Sequence, residues 1–240
     1  MNVIVFSPHE DDEAFSCAGT VARHVKDGDH VVIVFTTDGR LGVNAMIEGK
    51  FTPDELAKER AGEAVNAARV MGIDEQDVIF LGYHDQELQS CHDDVLPRLI
   101  ELIERVMPGV VYLAITNYGH VDHLATFFSV FEALDTTNYQ GEIRVSKVAA
   151  LMLPARPPDK DRDPRMLLVE NRFPVIDEIA VDIAPTINQK IAAISAHHTQ
   201  LGMFLNLVDP ADDFDAMVEE MLGETYADKI ERFERRQLGS

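Results

Sequence analysis

Short apolar runs rich in valine and isoleucine alternate along this chain with longer segments of helical periodicity. Continuous apolar strands are typical of a parallel sheet that helices cover on both faces. The predicted strands are Val3–Phe6, Val31–Thr36, Val78–Leu81, Val110–Ile115, Val148–Leu153 and Glu178–Ile183. The predicted helices are Glu13–Lys26, Pro53–Met71, Asp93–Val106, Leu124–Leu134 and Pro185–Thr199. The pattern predicts an α/β fold with a Rossmann-like, mostly parallel sheet.

Length and composition predict that residues 1–240 form a single domain. The chain has 240 residues, of which 46% are hydrophobic, enough for one sizeable core. Pro154–Arg165 is rich in proline and charge, and it is predicted to be a surface loop because too little chain follows it for a second core. The tail Phe214–Arg236 has helical spacing of apolar residues. It is predicted to pack either on its own domain or on a second subunit. The second alternative would make the protein a homo-oligomer.

Charge and cysteine usage limit the function classes. The formal net charge is -21, which argues against nucleic acid and anionic membranes because both need clustered basic residues. A neutral or cationic small substrate is easier to accommodate. The two cysteines, Cys17 and Cys91, form neither a disulfide framework nor a thiolate zinc motif. A membrane span needs about 18 consecutive apolar residues, and no apolar run here approaches that length. The sequence also lacks a signal-peptide pattern, so we expect a cytoplasmic protein.

The segment SPHEDDEAF follows the first predicted strand directly. Within it, His9 to Glu13 are one imidazole and four carboxyl groups in consecutive positions. Like charges crowded at the end of a buried strand raise each other's pKa or require a counter-ion. Because ligands of parallel sheets bind beyond the carboxyl ends of strands, we interpret the cluster as a cation site.

A second polar segment, NYGHVDHLATF, lies beyond the fourth predicted strand. Its His120 and His123 have the same i, i+3 spacing as His9 and Asp12. Three protein ligands with an open fourth position are typical of catalytic zinc, and an open position indicates hydrolysis. Each segment alone has a simpler interpretation, since acidic residues also complement a helix dipole and single histidines are usually solvated. Their joint occurrence at two strand ends favours a metal.

Both segments resemble motifs of the PIG-L (LmbE-like) family of zinc-dependent N-acetylglucosaminyl deacetylases. The family motifs are His-Pro-Asp-Asp-Glu and His-Pro-Asp-His, and here Glu10 and Val121 take the places of the two prolines. Weaker matches spread the resemblance over about the whole chain. They are Ala18–Thr20, Thr37–Gly39, Arg60, Glu63, Leu81–Asp85 and His197–Gln200.

The resemblance implies a mechanism. One Zn²⁺ per chain is bound by His9, Asp12 and His123, and a zinc-bound water attacks the acetamide carbonyl of an N-acetylglucosamine-type sugar or its conjugate. Asp11 is then the general base. His120, oriented by Asp122, either stabilises the oxyanion or protonates the departing amine. Such roles suit these residue types.

The resemblance also implies three substrate-binding residues, for each of which a simpler role stays open. Arg60 either binds substrate or forms a surface ion pair with Glu59 or Glu63. Asp85 accepts hydrogen bonds from sugar hydroxyls or is a turn residue. His197 is a polar group of the site, a helix cap or a core residue.

The prediction for Glu10 is that its side chain faces solvent, because three protein ligands already suffice for the metal. Metal affinity and the pH dependence of catalysis would then not depend on it.

Two other classes of function are compatible with part of this pattern. A metal phosphoesterase also clusters acidic groups, but usually around two metals. A non-catalytic metal- or sugar-binding protein is disfavoured by Asp11, a base beside an open metal position. The absence of a GxGxxG motif after the first strand argues against a nicotinamide cofactor. The loops Leu41–Thr52 and Pro154–Val169 do not identify the aglycone.

Overall fold

The computed structural model describes residues 1–44, 47–114, 120–147, 163–202 and 228–239. In these ranges the chain forms seven strands and six α-helices. The strands are β1 Asn2–Ser7, β2 His30–Thr37, β3 Val78–Tyr83, β4 Val110–Leu113, β5 Glu142–Ser146, β6 Val175–Asp182 and β7 Ile230–Arg236. The helices are α1 Asp12–Lys26, α2 Pro53–Met71, α3 His92–Val106, α4 Val121–Thr136, α5 Pro164–Arg172 and α6 Ile187–Ala196. None of these helices is long and apolar enough to cross a membrane.

The strands form one sheet in the order β3-β2-β1-β4-β5-β7-β6. The first five strands of this order are parallel, and β7 runs antiparallel to both β5 and β6. The predicted α/β class with a mostly parallel sheet is confirmed. Because the chain steps from β1 to β2 on one side and later to β4 on the other, the carboxyl ends of β1 and β4 border a crevice, where ligands of such sheets bind.

The central strand β1 contributes to both halves of the core. Val3 and Val5 pack with α1, α2 and α6, whereas Ile4 and Phe6 pack with α3, α4 and α5 on the opposite face. Successive side chains of a strand point to opposite faces, so a strand covered on both sides must be apolar throughout. All four side chains have zero exposure, and this explains the uninterrupted apolar run that precedes the charged segment.

The sequence-based elements agree with the structure as far as α4, and the differences lie after that helix. The predicted strand Val148–Leu153 lies outside the described residues, as does most of the predicted loop Pro154–Arg165, whose last residues begin α5 instead. Strand β5 was missed because Glu142 and Arg144 interrupt its apolar residues. The helix predicted for Phe214–Arg236 is wrong over β7, where Glu231 and Phe233 are buried with a period of two. Residues 214–227 of that prediction lie outside the described ranges.

Helix α1, which begins at the charged segment, is held from behind by a buried ion pair. The Lys190 ammonium of α6 donates to Glu231 Oε1 of β7 at 2.6 Å and to the carbonyls of Ala14 and Phe15 at 3.1 and 2.8 Å. Glu231 also accepts hydrogen bonds from two backbone N–H groups of α1. Neither charged side chain has any exposed surface. The pair therefore connects α1, α6 and β7.

We expect Glu231→Gln to lower the free energy of unfolding by about 3 kcal/mol, because it leaves the buried Lys190 charge without its carboxylate. Urea denaturation measures the loss. The double variant Lys190→Met/Glu231→Gln removes both charges and should be more stable than Glu231→Gln alone. A double variant as unstable as the sum of the two single changes would show that the charges do not act as a pair.

Candidate functional site

The charged segments meet at the edge of the sheet where β1 and β4 end. The turn from Pro8 to Asp11 joins β1 to α1, and His120 is the N-cap residue of α4, which follows β4. Asp85 lies just beyond β3. Parallel strands share one carboxyl edge, so residues far apart in sequence converge there.

The carboxylate of Asp12 lies between two imidazole rings. Its Oδ2 is 3.2 Å from His9 Nδ1 and 3.3 Å from His123 Nε2, and it also accepts the backbone N–H of His9 at 3.1 Å. Ring nitrogens of His9, His120 and His123 lie within 4.8 Å of one another. The structure thus brings together the three residues predicted to bind zinc, and their role as ligands stays a prediction.

The other ring nitrogen of His9 faces two further carboxylates. His9 Nε2 lies 3.4 Å from Asp122 Oδ2 and 3.6 Å from Asp85 Oδ1. The backbone N–H of Gln86 donates to the same Asp122 oxygen at 2.6 Å. A carboxylate behind an imidazole fixes the tautomer and orientation of the ring, which leaves Nδ1 of His9 to act as a ligand.

The carboxylate of Asp122 was predicted to orient His120, and the structure differs. The carboxylate lies 4.0 Å from His120 Nδ1, beyond hydrogen-bond range, while the backbone N–H of Asp122 donates to that nitrogen at 3.3 Å. The contact is a helix N-cap, and the carboxylate is turned to His9 instead. Sequence spacing alone gave no signal for this choice.

The site favours positive charge at its centre. Burial alone would lower the pKa of His9, but the neighbouring carboxylates of Asp12, Asp122 and Asp85 raise it well above the ordinary value. Burial would raise the pKa of Asp12, but the charge of His123 and the hydrogen bond with His9 lower it. A cluster that stabilises a proton on a buried ring also stabilises a cation in its place.

The residues present fit a bound divalent metal. Asp85 Oδ1 and Asp122 Oδ1 are buried and have no hydrogen-bond partner among the described residues, which is costly for carboxylate oxygens. Ring nitrogens of His9 and His120 group with oxygens of these two aspartates within 4.8 Å. Imidazole nitrogen and carboxylate oxygen, without thiolate, are ligands of catalytic zinc and of other first-row divalent metals. Asp85, predicted to contact sugar, therefore also belongs to the donor group.

A separate donor group lies on the outer side of α2. It consists of Glu59, Glu63 and His198, with His198 Nδ1 2.8 Å from Glu63 Oε1. Both oxygens of Glu63 already accept hydrogen bonds at 2.7 Å, from the backbone and hydroxyl of Thr199. This group is the alternative metal position within the described residues.

Asp11 has a strained backbone held by buried partners. Its φ is 151° and its ψ is -29°, a conformation that residues with a Cβ rarely adopt. The backbone N–H of Asp11 donates to Glu13 Oε2 at 3.2 Å, and Glu13 Oε1 lies 2.9 Å from His197 Nε2. His197 is fully buried, and its side chain contacts Glu13. Its predicted role in substrate binding stays a prediction. Such strain is typical of functional sites.

Arg60 lies inside the site and not on the surface of α2. Its side chain is 3% exposed, and it donates to the Glu10 carbonyl at 2.8 Å, to Asp11 Oδ1 at 3.2 Å and to the Gly39 carbonyl at 3.0 Å. The alternative of a surface ion pair with Glu59 or Glu63 is therefore wrong. Burial raises the pKa of Asp11 to about 6, although Arg60 opposes the shift.

Glu10 was predicted to face solvent, and this is wrong. Its side chain is 1% exposed, and its Oε2 lies 3.7 Å from Arg60 Nε. Burial raises the pKa of Glu10 to about 7, although Arg60 lowers it. Side-chain direction in a turn follows no periodicity, so the sequence gave no basis for choosing the buried orientation.

Comparison with known proteins identifies the class. Residues 4–134 match the protein family described as PIG-L: GlcNAc-PI de-N-acetylase. The matched residues are more than half of the chain and include both polar segments. The chain therefore belongs to the PIG-L family, as the motifs predicted.

Three similar proteins are deacetylases that differ in their substrates. A probable N-acetyl-α-D-glucosaminyl L-malate deacetylase 2 of Bacillus subtilis (strain 168) is 29% identical over 203 residues, covering 83% of each chain. A 1D-myo-inositol 2-acetamido-2-deoxy-α-D-glucopyranoside deacetylase of Kineococcus radiotolerans is 27% identical over 257 residues, covering 87% of this chain and 71% of the relative. The solved N,N'-diacetylchitobiose deacetylase of Pyrococcus horikoshii shares 21% identity at a TM-score of 0.68, covering 99% of this chain and 83% of that one. This last likeness supports the fold.

We expect Gly39→Ala to destabilise the protein by about 2 kcal/mol more than Gly28→Ala. Both glycines have positive φ, +53° and +84°, but a Cβ on Gly39 would lie 2.6 Å from Arg60 Cζ and 2.7 Å from Glu10 Oε2. A Cβ on Gly28 would meet no described atom within 4 Å, so this variant controls for backbone strain alone. Thermal and urea unfolding of both variants measure the difference. Equal losses would mean that the Arg60 guanidinium is not confined by Gly39.

Proposed function

We propose that this chain is a zinc-dependent hydrolase that removes the acetyl group from an N-acetylglucosamine-type amino sugar or its conjugate. The observation that carries the proposal is the convergence of His9, Asp12 and His123 beside Asp11, a base that is not needed as a ligand. Family membership and the deacetylase relatives support the reaction class. The site has no second, separate set of donors of the kind that two-metal phosphoesterases use, among the residues described around it.

His9, Asp12 and His123 would hold the zinc ion. When bound, zinc supplies a Lewis acid that lowers the pKa of water to about 7 and polarises an amide carbonyl. Asp122 and Asp85 lie next to His9 Nε2, which would leave the Nδ1 lone pair of His9 available to zinc.

Asp11 accepts the proton of the attacking water. Its strained backbone, fixed through the hydrogen bond to Glu13, aims the carboxylate beside Asp12, and Arg60 fixes its Oδ1. Burial keeps the pKa of this carboxyl at about 6, higher than usual, which makes it a better proton acceptor near neutral pH.

His120 donates a hydrogen bond to the acetamide oxygen as negative charge develops there. Its Nδ1 accepts the backbone N–H of Asp122, so a neutral ring carries its hydrogen on Nε2. Burial and the neighbouring His9 and His123 lower the pKa of His120, which favours the neutral ring. The ring is partly exposed and can reach a substrate.

The direct test is acetate release from three substrates: the L-malate and myo-inositol conjugates of N-acetylglucosamine, and N,N'-diacetylchitobiose. We expect zinc-loaded protein to deacetylate at least one, a chelator to abolish the reaction, and added zinc to restore it. p-Nitrophenyl phosphate tests the phosphoesterase alternative. Phosphate release with no acetate from any of the three sugars would contradict the proposal.

We expect Asp11→Asn and Asp12→Asn to separate catalysis from metal binding. Asp11→Asn should retain zinc and lower kcat by about a hundredfold to ten-thousandfold, because an amide cannot accept the water's proton. Asp12→Asn should lose most of its zinc at equal free-metal concentration, since it removes an anionic ligand. Metal analysis and acetate assays on both variants make the comparison. Normal turnover in Asp11→Asn would assign the base elsewhere.

A further inference from the structure

We propose that Glu10 is a positioning residue that acts on Asp11 through Arg60. The motif that residues 9–13 resemble has proline at this position, whereas this chain has glutamate. The inference rests on the proposed function, in which Asp11 is the general base. Glu10 itself has almost no exposed surface.

Glu10 and Arg60 are a buried and incompletely satisfied pair. Among the residues that the structure describes, Glu10 Oε2 and Arg60 Nε have no hydrogen-bond partner, and these two atoms lie 3.7 Å apart. A buried charge without a counter-charge is strongly unfavourable, so each group constrains the position of the other.

The guanidinium of Arg60 is confined on all of its polar edges. One terminal nitrogen donates to the Gly39 carbonyl, and the other donates to the Glu10 carbonyl and to Asp11 Oδ1. The remaining nitrogen, Nε, faces only the Glu10 carboxylate among the contacts described. Gly39 packs so closely on Cζ that a Cβ would not fit, which blocks movement toward that loop. Removal of the Glu10 carboxylate therefore frees the edge at which no other described residue contacts Arg60.

Movement of the Arg60 guanidinium would displace the Asp11 carboxylate, because the two groups are hydrogen-bonded. Small displacements of a catalytic group lower the rate by up to about a hundredfold per ångström, without weakening substrate binding in proportion. A positioning role thus predicts an effect on kcat at constant KM and constant zinc content. A purely structural role predicts loss of stability alone.

Three variants at position 10 test the inference in zinc-loaded enzyme. Glu10→Ala and Glu10→Pro, which lack an acceptor, should lower kcat about tenfold with KM and zinc content unchanged. Glu10→Gln keeps an acceptor of the same length and should lose threefold or less. In the Asp11→Asn background, Glu10→Ala should cause no further loss. Thr186→Val, which removes a buried hydroxyl bonded to the Gly19 carbonyl, controls for destabilisation and should keep kcat.

A stability cycle gives a readout that needs no activity. Unfolding of Glu10→Ala, Arg60→Lys and the double variant should show coupling of about fivefold in the unfolding equilibrium constant. If wild-type enzyme releases no acetate but the coupling is present, the proposed function is wrong and the positioning of Arg60 stands. If the wild type is active, the inference is overturned by unchanged kcat in Glu10→Ala, by an equal loss in the Asp11→Asn background, or by additive stabilities.

Discussion

The contact of one carboxylate with two imidazoles, Asp12 with His9 and His123, is the interaction on which the rest of the site depends. It forms because β1 and β4 are neighbours with their carboxyl ends at one edge, so the start of α1 and the start of α4 meet. The buried apolar run 3–6 of β1 and the buried Lys190–Glu231 pair hold these helix starts in place. The polar residues of the site are thus concentrated at the carboxyl edge of the sheet, where β1 and β4 end.

Around this contact, buried acidic side chains lie next to buried basic side chains. Asp122 and Asp85 stand behind His9 and favour positive charge at the centre, while Arg60 faces Asp11 and Glu10 from the side of α2. The strained peptide of Asp11 is held by Glu13, and Glu13 by His197. The low local dielectric makes each partner matter, because a buried charge that loses its partner is unfavourable. A bound divalent cation would complete this balance in a chain whose formal charge is -21.

The sequence predicted the parts of the fold that depend on periodicity. Strands buried on both faces and helices with apolar stripes were recognised, and so were the motif residues that meet at the site. Strand β5 was missed because charged residues alternate within it, and β7 was taken for a helix because its apolar residues suit either period. The burial of Glu10 and the turning of Asp122 toward His9 were not predictable, because tertiary contacts of turns and helix caps decide them.

The measurement that tests the account most directly is the position of the metal in crystals of the zinc-loaded protein. Diffraction data collected on both sides of the zinc absorption edge locate the ion without reference to activity. The account predicts one anomalous peak per chain, about 2.0–2.2 Å from His9 Nδ1, an Asp12 oxygen and His123 Nε2. A peak at Glu59, Glu63 and His198, with none between His9 and His123, would contradict it.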